Sequence, residues 1–181
     1  MFRISKDTPA YYFTCVTKGR LPVFRTGPLR ELCCEALAEA RRSAKFLLFA
    51  YVVMLDHLHT IVGSDLKPSK VLQYINGITS RRVINYLKDN GYQSTLSKLR
   101  HADRDRNYKY SLWDHHPNTK SLNTEDLLIE KVNYVHQNPV RAGLVTNASD
   151  YRWSSVRCWQ RRPLEDEPLL VDIDQIQWRR R

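Results

Sequence analysis

The chain has 181 residues, with 29 Lys and Arg against 19 Asp and Glu, a formal net charge of +10. Its 42% hydrophobic and 27% charged residues are the composition of a globular protein, which excludes disorder as the dominant state. No apolar run reaches the roughly 18 residues of a membrane span, and Met1-Phe2-Arg3-Ile4-Ser5-Lys6 lacks the apolar stretch of a signal peptide, so a cytoplasmic protein without a membrane partner is expected.

Taken in chain order, the aromatic and β-branched stretch Tyr11–Thr17 predicts a first strand, broken by Lys18-Gly19-Arg20. Pro28 to about Ala44 predicts a helix from the spacing of Leu29, Leu32, Ala36, Leu37 and Ala40. The unbroken apolar run Phe46–Leu55 and the alternating His57–Val62 predict two antiparallel strands joined by a tight turn at Asp56, the first of them central. Gly63 ends the pair. Pro68 opens a second helix that runs to about Asp89, and Asn90-Gly91 stops it. Residues 92–110 read as a polar loop, and Ser111-Leu112-Trp113 as a short strand. Thr124 caps a third helix with acids in its first turn, striped by Leu128, Val132 and Val135 and ended by Pro139. This order predicts an α+β fold: a ferredoxin-like antiparallel sheet with helices packed mainly on one face.

The four cysteines, Cys15, Cys33, Cys34 and Cys158, have no C-x-x-C spacing. They read as small buried apolar residues rather than zinc ligands.

The charge is uneven. Residues 78–110 carry eight basic and three acidic side chains, half of the net excess, whereas residues 111–151 carry three and five. Tyr86, Tyr92, Tyr108 and Tyr110 are interleaved in the basic stretch. Cations for phosphates with rings for bases fit single-strand binding, and a solvated helix face followed by a loop fits as well. Arg81 and Arg82, then Lys98, Arg100, Arg104, Arg106 and Lys109, and Arg141 beyond the third helix are the candidate phosphate contacts.

His57 and His59 are two apart on a predicted strand, so both rings point to one face and could grip one divalent ion. On the third helix, Tyr134 and Asn138 are i, i+4 neighbours on the flank of the apolar stripe, with Lys131 beside them. Helix geometry alone favours Tyr134 as a boundary ring of the core, Asn138 as a cap before Pro139, and Lys131 as a solvated lysine.

Three motifs then carry a resemblance. Ala50–Val62, Tyr134-Val135-His136-Gln137-Asn138-Pro139-Val140-Arg141-Ala142-Gly143-Leu144-Val145 and Trp153-Ser154-Ser155 resemble, in order and spacing from about residue 8 to 160, the REP-associated tyrosine transposases. These are single-tyrosine HUH nucleases related to small insertion-sequence transposases. The resemblance implies the HUH histidines His57 and His59 on a central strand as metal ligands, Asn138 as a third ligand, and Tyr134 as the nucleophile. It implies Mg²⁺ or Mn²⁺ as cofactor, and single-stranded DNA and REP-like hairpins as partners of a monomer or homodimer. The implied reaction is cleavage and strand transfer through a 5′-phosphotyrosine; the alternative is a domesticated protein that holds the hairpin uncut. Leu55, where a proline is common, and His115-His116-Pro117 depart from the family pattern. Residues 1–160 are thus expected to form the transposase-like catalytic domain. Residues 161–181, ending Trp178-Arg179-Arg180-Arg181, match no motif and are expected to be a basic C-terminal tail.

Overall fold

The structure, a computed structural model, describes residues 1–101, 109–114 and 117–178. Arg104, Arg106, Tyr108, His115 and His116, singled out from the sequence, lie outside the described residues. The elements in chain order are β1 (Ala10–Val16), α1 (Gly27–Ala44), β2 (Leu47–Val53), β3 (His57–Gly63), α2 (Pro68–Asp89), α3 (Gln93–Leu99), β4 (Asn118–Leu122), α4 (Glu125–Arg141) and α5 (Val156–Trp159). Both α1 and α2 start with a proline in the first turn, where its missing N–H costs nothing.

The strands pair antiparallel in the order β2-β3-β1-β4. With helices after β1 and β3, this is the ferredoxin-like split βαβ arrangement, an α+β fold as the sequence predicts. Strand alternation divides the side chains into two cores. Phe13, Cys15, Leu48, Val53, Leu58 and Val62 face α1, α2 and α3, meeting Leu37, Ala40, Ile75, Val83, Leu96 and Leu99. Tyr12, Val52 and Ile61 face the other way and meet Leu128, Val132 and Val135 of α4. His57 and His59, alternating with Leu58, therefore point to the α4 face. All four cysteines are free and buried. Among the described residues, no helix is long and apolar enough to cross a membrane.

Four sequence expectations are corrected. β2 is not central but an edge strand; it is apolar throughout because the C-terminal segment covers its outer side. Ser155 N–H donates to the Tyr51 carbonyl at 3.0 Å, Val53 N–H to the Trp153 carbonyl at 2.9 Å, and Asp172 N–H to the Leu48 carbonyl at 2.7 Å. Residues 161–178 thus pack on the domain, with Leu169, Ile173 and Ile176 buried. The fourth strand is Asn118–Leu122, whereas Trp113 makes an isolated bridge to Thr17. Within the stretch read as loop, Gln93–Leu99 is helical, burying Leu96 and Leu99.

Finally, Pro139 does not end α4, which runs on to Arg141. Pro139 leaves the Val135 carbonyl without its helical N–H, and the Asn138 side-chain amide lies 3.5 Å from that oxygen while donating to the Tyr134 carbonyl at 2.8 Å. The helix stops at Gly143, whose φ of 67° is the left-handed conformation usual just past a helix end.

Candidate active site

The site sits on the α4 face of the sheet. Register places Thr14 opposite His59 and Val16 opposite His57, the last pair of the β1–β3 ladder. The two imidazoles are T-shaped, with centroids 4.7 Å apart. Each ring is held through Nδ1. The Asp56 carboxylate lies 2.5 Å from Nδ1 of His57 and also takes Arg20 at 3.2 Å. Nδ1 of His59 meets the Tyr12 hydroxyl at 2.8 Å and the Thr14 hydroxyl at 2.9 Å. Tethering one ring nitrogen orients the other outward, as a metal-binding imidazole requires. Burial, and then the neighbouring His57, push His59 down to about 3, so it is neutral and keeps its lone pair at neutral pH.

Tyr134 comes from the opposite wall. Its ring is edge-on to His59, with centroids 5.8 Å apart, and to Tyr12 at 6.2 Å. Asn138, one turn on, uses its amide N–H₂ on the helix backbone, and its side chain lies close enough to the His59 ring to favour its protonated form, against the larger effect of burial. The structure therefore brings His57, His59, Tyr134 and Asn138 together. Among the described residues no group of three His, Cys, Asp or Glu side chains assembles into a metal site. Two imidazoles and an amide oxygen are nevertheless a donor set that suits a divalent ion such as Mn²⁺ or Mg²⁺, with remaining positions left to water or phosphate.

The charged residues divide differently from their sequence grouping. Arg141 joins the site, its guanidinium carbon 5.1 Å from the Tyr134 centroid. Arg81 and Arg82 do not: they hold Glu39 at 2.5 Å and Glu35 at 2.6 Å, on α1 across the other face. Lys98, Arg100 and Lys109 are exposed. Their segment lies at the end of the sheet where His57 begins β3. There Asp114 N–H bonds the Val16 carbonyl at 2.7 Å, and Lys18 Nζ bonds the Arg100 carbonyl at 2.6 Å. Two site lysines come from outside the basic stretch. Lys131 Nζ lies 4.7 Å from the Tyr134 centroid. Lys120, exposed on β4 opposite Tyr12, shares the site face.

Sequence reasoning missed Tyr12, Thr14 and Asp56. Asp56 beside a His-x-His was the one visible signal; Tyr12 and Thr14 read as ordinary strand residues until register put them against His59. Burial pushes the Tyr12 phenol up to about 12, and the Tyr134 phenol beside it acts in the same direction.

His136 turns away from the site. It is buried, its Nε2 2.9 Å from the Ser155 hydroxyl, which in turn accepts from Tyr51 N–H at 2.9 Å. Burial pushes His136 down from 6.5 to about 4. The unfolded chain takes up this proton first, so stability is full above pH ~6.5 and falls as the pH drops toward 4. By pH 4 the loss from His136 is on the order of 3 kcal/mol. His136→Gln keeps a partner for Ser155 without titrating. Urea unfolding at pH 7 and pH 4 is expected to show a smaller acid loss in the variant, with His59 still contributing a slope.

The fold is thus a βαββαβ α+β domain whose sheet sets two tethered imidazoles against a helix-borne tyrosine. A family model described as "Transposase IS200 like" matches residues 6–100, just over half the chain; the chain belongs to the IS200-like transposases. Among solved structures it is similar to a REP-associated tyrosine transposase bound to a REP hairpin. The identity is 19% and the TM-score 0.63, over 92% of this chain and 87% of that one. It is also similar to a candidate transposase from Deinococcus radiodurans R1, at 16% identity and a TM-score of 0.51, over 71% of this chain and 88% of that one. At these identities the likeness is one of fold. No curated protein matches the chain.

Proposed function

We propose that the protein is a tyrosine-dependent single-stranded DNA endonuclease and strand transferase that acts on REP-type hairpins. The convergence of Tyr134, His57, His59 and Asn138 on one sheet face carries this reading. Family membership and the hairpin bound by the similar transposase structure support it. His57, His59 and Asn138 would hold the divalent ion, which when bound polarises the scissile phosphate and supplies positive charge to its oxygens. Asp56, Tyr12 and Thr14 keep the two imidazoles aimed by holding their Nδ1 atoms. Tyr134, half-buried on a rigid helix, presents its hydroxyl to the phosphodiester and takes the 5′ phosphate, releasing a 3′ hydroxyl. The ester bond conserves the energy of the cut, so the strand can be rejoined. Lys98, Arg100, Lys109, Lys120 and Arg141 hold the strand's phosphates as it approaches from the His57 end of the sheet.

The test is incubation of the full chain with Mg²⁺ or Mn²⁺ and a single strand carrying a REP-like hairpin beside a short guide sequence. A denaturation-resistant protein–DNA adduct is expected, and chelation is expected to abolish it. Tight hairpin binding with no adduct on any such strand would instead make the protein a hairpin-binding relative without cleavage.

A further inference from the structure

Lys131 lies one turn before Tyr134 on the same flank of α4. Its side chain is only 17% exposed. The ammonium sits 4.7 Å from the Tyr134 centroid and 5.5 Å from that of Tyr12. A solvated lysine would trail into water or close onto a carboxylate, whereas this one is mostly buried and makes only a long ion pair with an exposed glutamate. The Glu130 carboxylate is 3.9 Å away and itself 65% exposed, beyond hydrogen-bonding distance. Arg81 and Arg82, in contrast, are closed onto glutamates at 2.5 and 2.6 Å. Ordering a long side chain costs rotamer entropy, and partial burial of a charge with only a distant, exposed counter-ion costs more. Cation–π contact with two rings offsets part of this. An anion brought between the rings and the ammonium would offset the rest.

We propose that Lys131 stabilises the phosphate during its transfer to Tyr134, a role that rests on the reading of Tyr134 as nucleophile. In that step the Tyr134 oxygen bonds to phosphorus and the P–O3′ bond breaks. The phenol proton passes to solvent, and the released 3′ oxygen takes one up. The phosphodiester enters with one negative charge and gathers more as the incoming oxygen joins it, so a fixed cation beside Tyr134 meets charge where it grows. Arg141, 5.1 Å from the same ring but exposed, and Lys120 on β4 are placed to hold the strand before and after the step. Lys131, the more buried, is placed for the step itself. Solvent screens its charge less than theirs.

The experiment compares wild type, Lys131→Met and Lys131→Arg with a REP-like hairpin substrate and Mn²⁺. It reads hairpin affinity and the single-turnover rate of adduct formation separately. Met preserves the stem over the rings, and Arg preserves the charge. Lys131→Met is expected to slow adduct formation about 100-fold while hairpin affinity stays within about threefold. Lys131→Arg is expected to recover at least about tenfold of that rate. A Lys131→Met rate within about threefold of wild type overturns the proposal. So does a parallel loss of affinity and rate that Arg does not rescue, which would make the lysine structural. Absence of any adduct with the wild-type chain removes the nucleophile reading itself, and this proposal with it.

Discussion

Tyr134→Phe is expected to abolish covalent adduct formation, a loss of at least about 10³-fold in single-turnover rate, while leaving hairpin affinity within about threefold. The change deletes one oxygen and keeps the ring, so the edge-on contacts with Tyr12 and His59 and the Lys131 and Arg141 cations over the ring persist. Among the described residues, Tyr12 is the phenol packed edge-on against that ring, but it is buried, its hydroxyl is engaged with His59 at 2.8 Å and Thr14 at 2.9 Å, and burial pushes it up to about 12. A phenol so raised is seldom ionised at neutral pH and so is a weak nucleophile. Gel separation of adduct after denaturation, beside hairpin titration under native conditions, divides chemistry from binding. Adduct formed by the variant at the wild-type rate would place the nucleophile on another residue.

How much of this arrangement could be read in advance depended on whether the relevant contact was local. α1 and α2 are legible because each buries one face of a periodic helix, and β1 and β3 because short apolar, aromatic and β-branched runs mark strands packed on both sides. β4 is not: Asn118, Thr119, Lys120 and Ser121 are exposed on a sheet edge, so no alternation marks the strand. Leu112 and Trp113 are fully or nearly buried without being in a strand, which is why they read as one. The apolar run of β2 correctly signals burial on both faces, but burial by sheet neighbours and burial by a returning C-terminal segment look alike in sequence. In the site, His57 and His59 follow from strand alternation, and Tyr134 and Asn138 from helix spacing. Their meeting, and the tethering of His59 by Tyr12 and Thr14, follow from register between segments more than 40 residues apart. Segment charge and spatial placement diverge for the same reason. Arg81 and Arg82 in the most basic stretch are neutralised by Glu39 and Glu35 of α1. Lys120, Lys131 and Arg141 at the site belong to a stretch with a net negative count.

Breaking the Arg157–Glu167 pair is expected to be the most damaging single change to stability away from the apolar core. The two side chains are 8% and 1% exposed. The guanidinium is bidentate on the carboxylate, Nε to Oε2 at 2.9 Å and Nη2 to Oε1 at 2.6 Å. Its other N–H groups donate to the carbonyls of Ser149 at 2.8 Å, Tyr151 at 3.1 Å and Arg152 at 2.7 Å. Glu167 also accepts from Leu164 N–H at 3.0 Å. One ion pair therefore ties the loop after α4 to the C-terminal segment. Between those anchors lie Trp153, Ser154 and Ser155, which occupy the free edge of β2, and Ser155 also holds His136 of α4. Arg157→Met would leave a carboxylate buried without its partner and three carbonyls without donors. The expected cost is about 3–5 kcal/mol, a large part of the roughly 5–15 kcal/mol that holds a domain folded. Glu167→Met should cost a similar amount through the stranded guanidinium. The double variant should be less destabilised than the two single losses added together, because no unpaired charge remains. Urea unfolding of the four proteins at pH 7 measures this cycle. A single-variant loss below about 1 kcal/mol would mean that the pair acts like a solvent-exposed one, and that apolar packing alone seats the segment on β2.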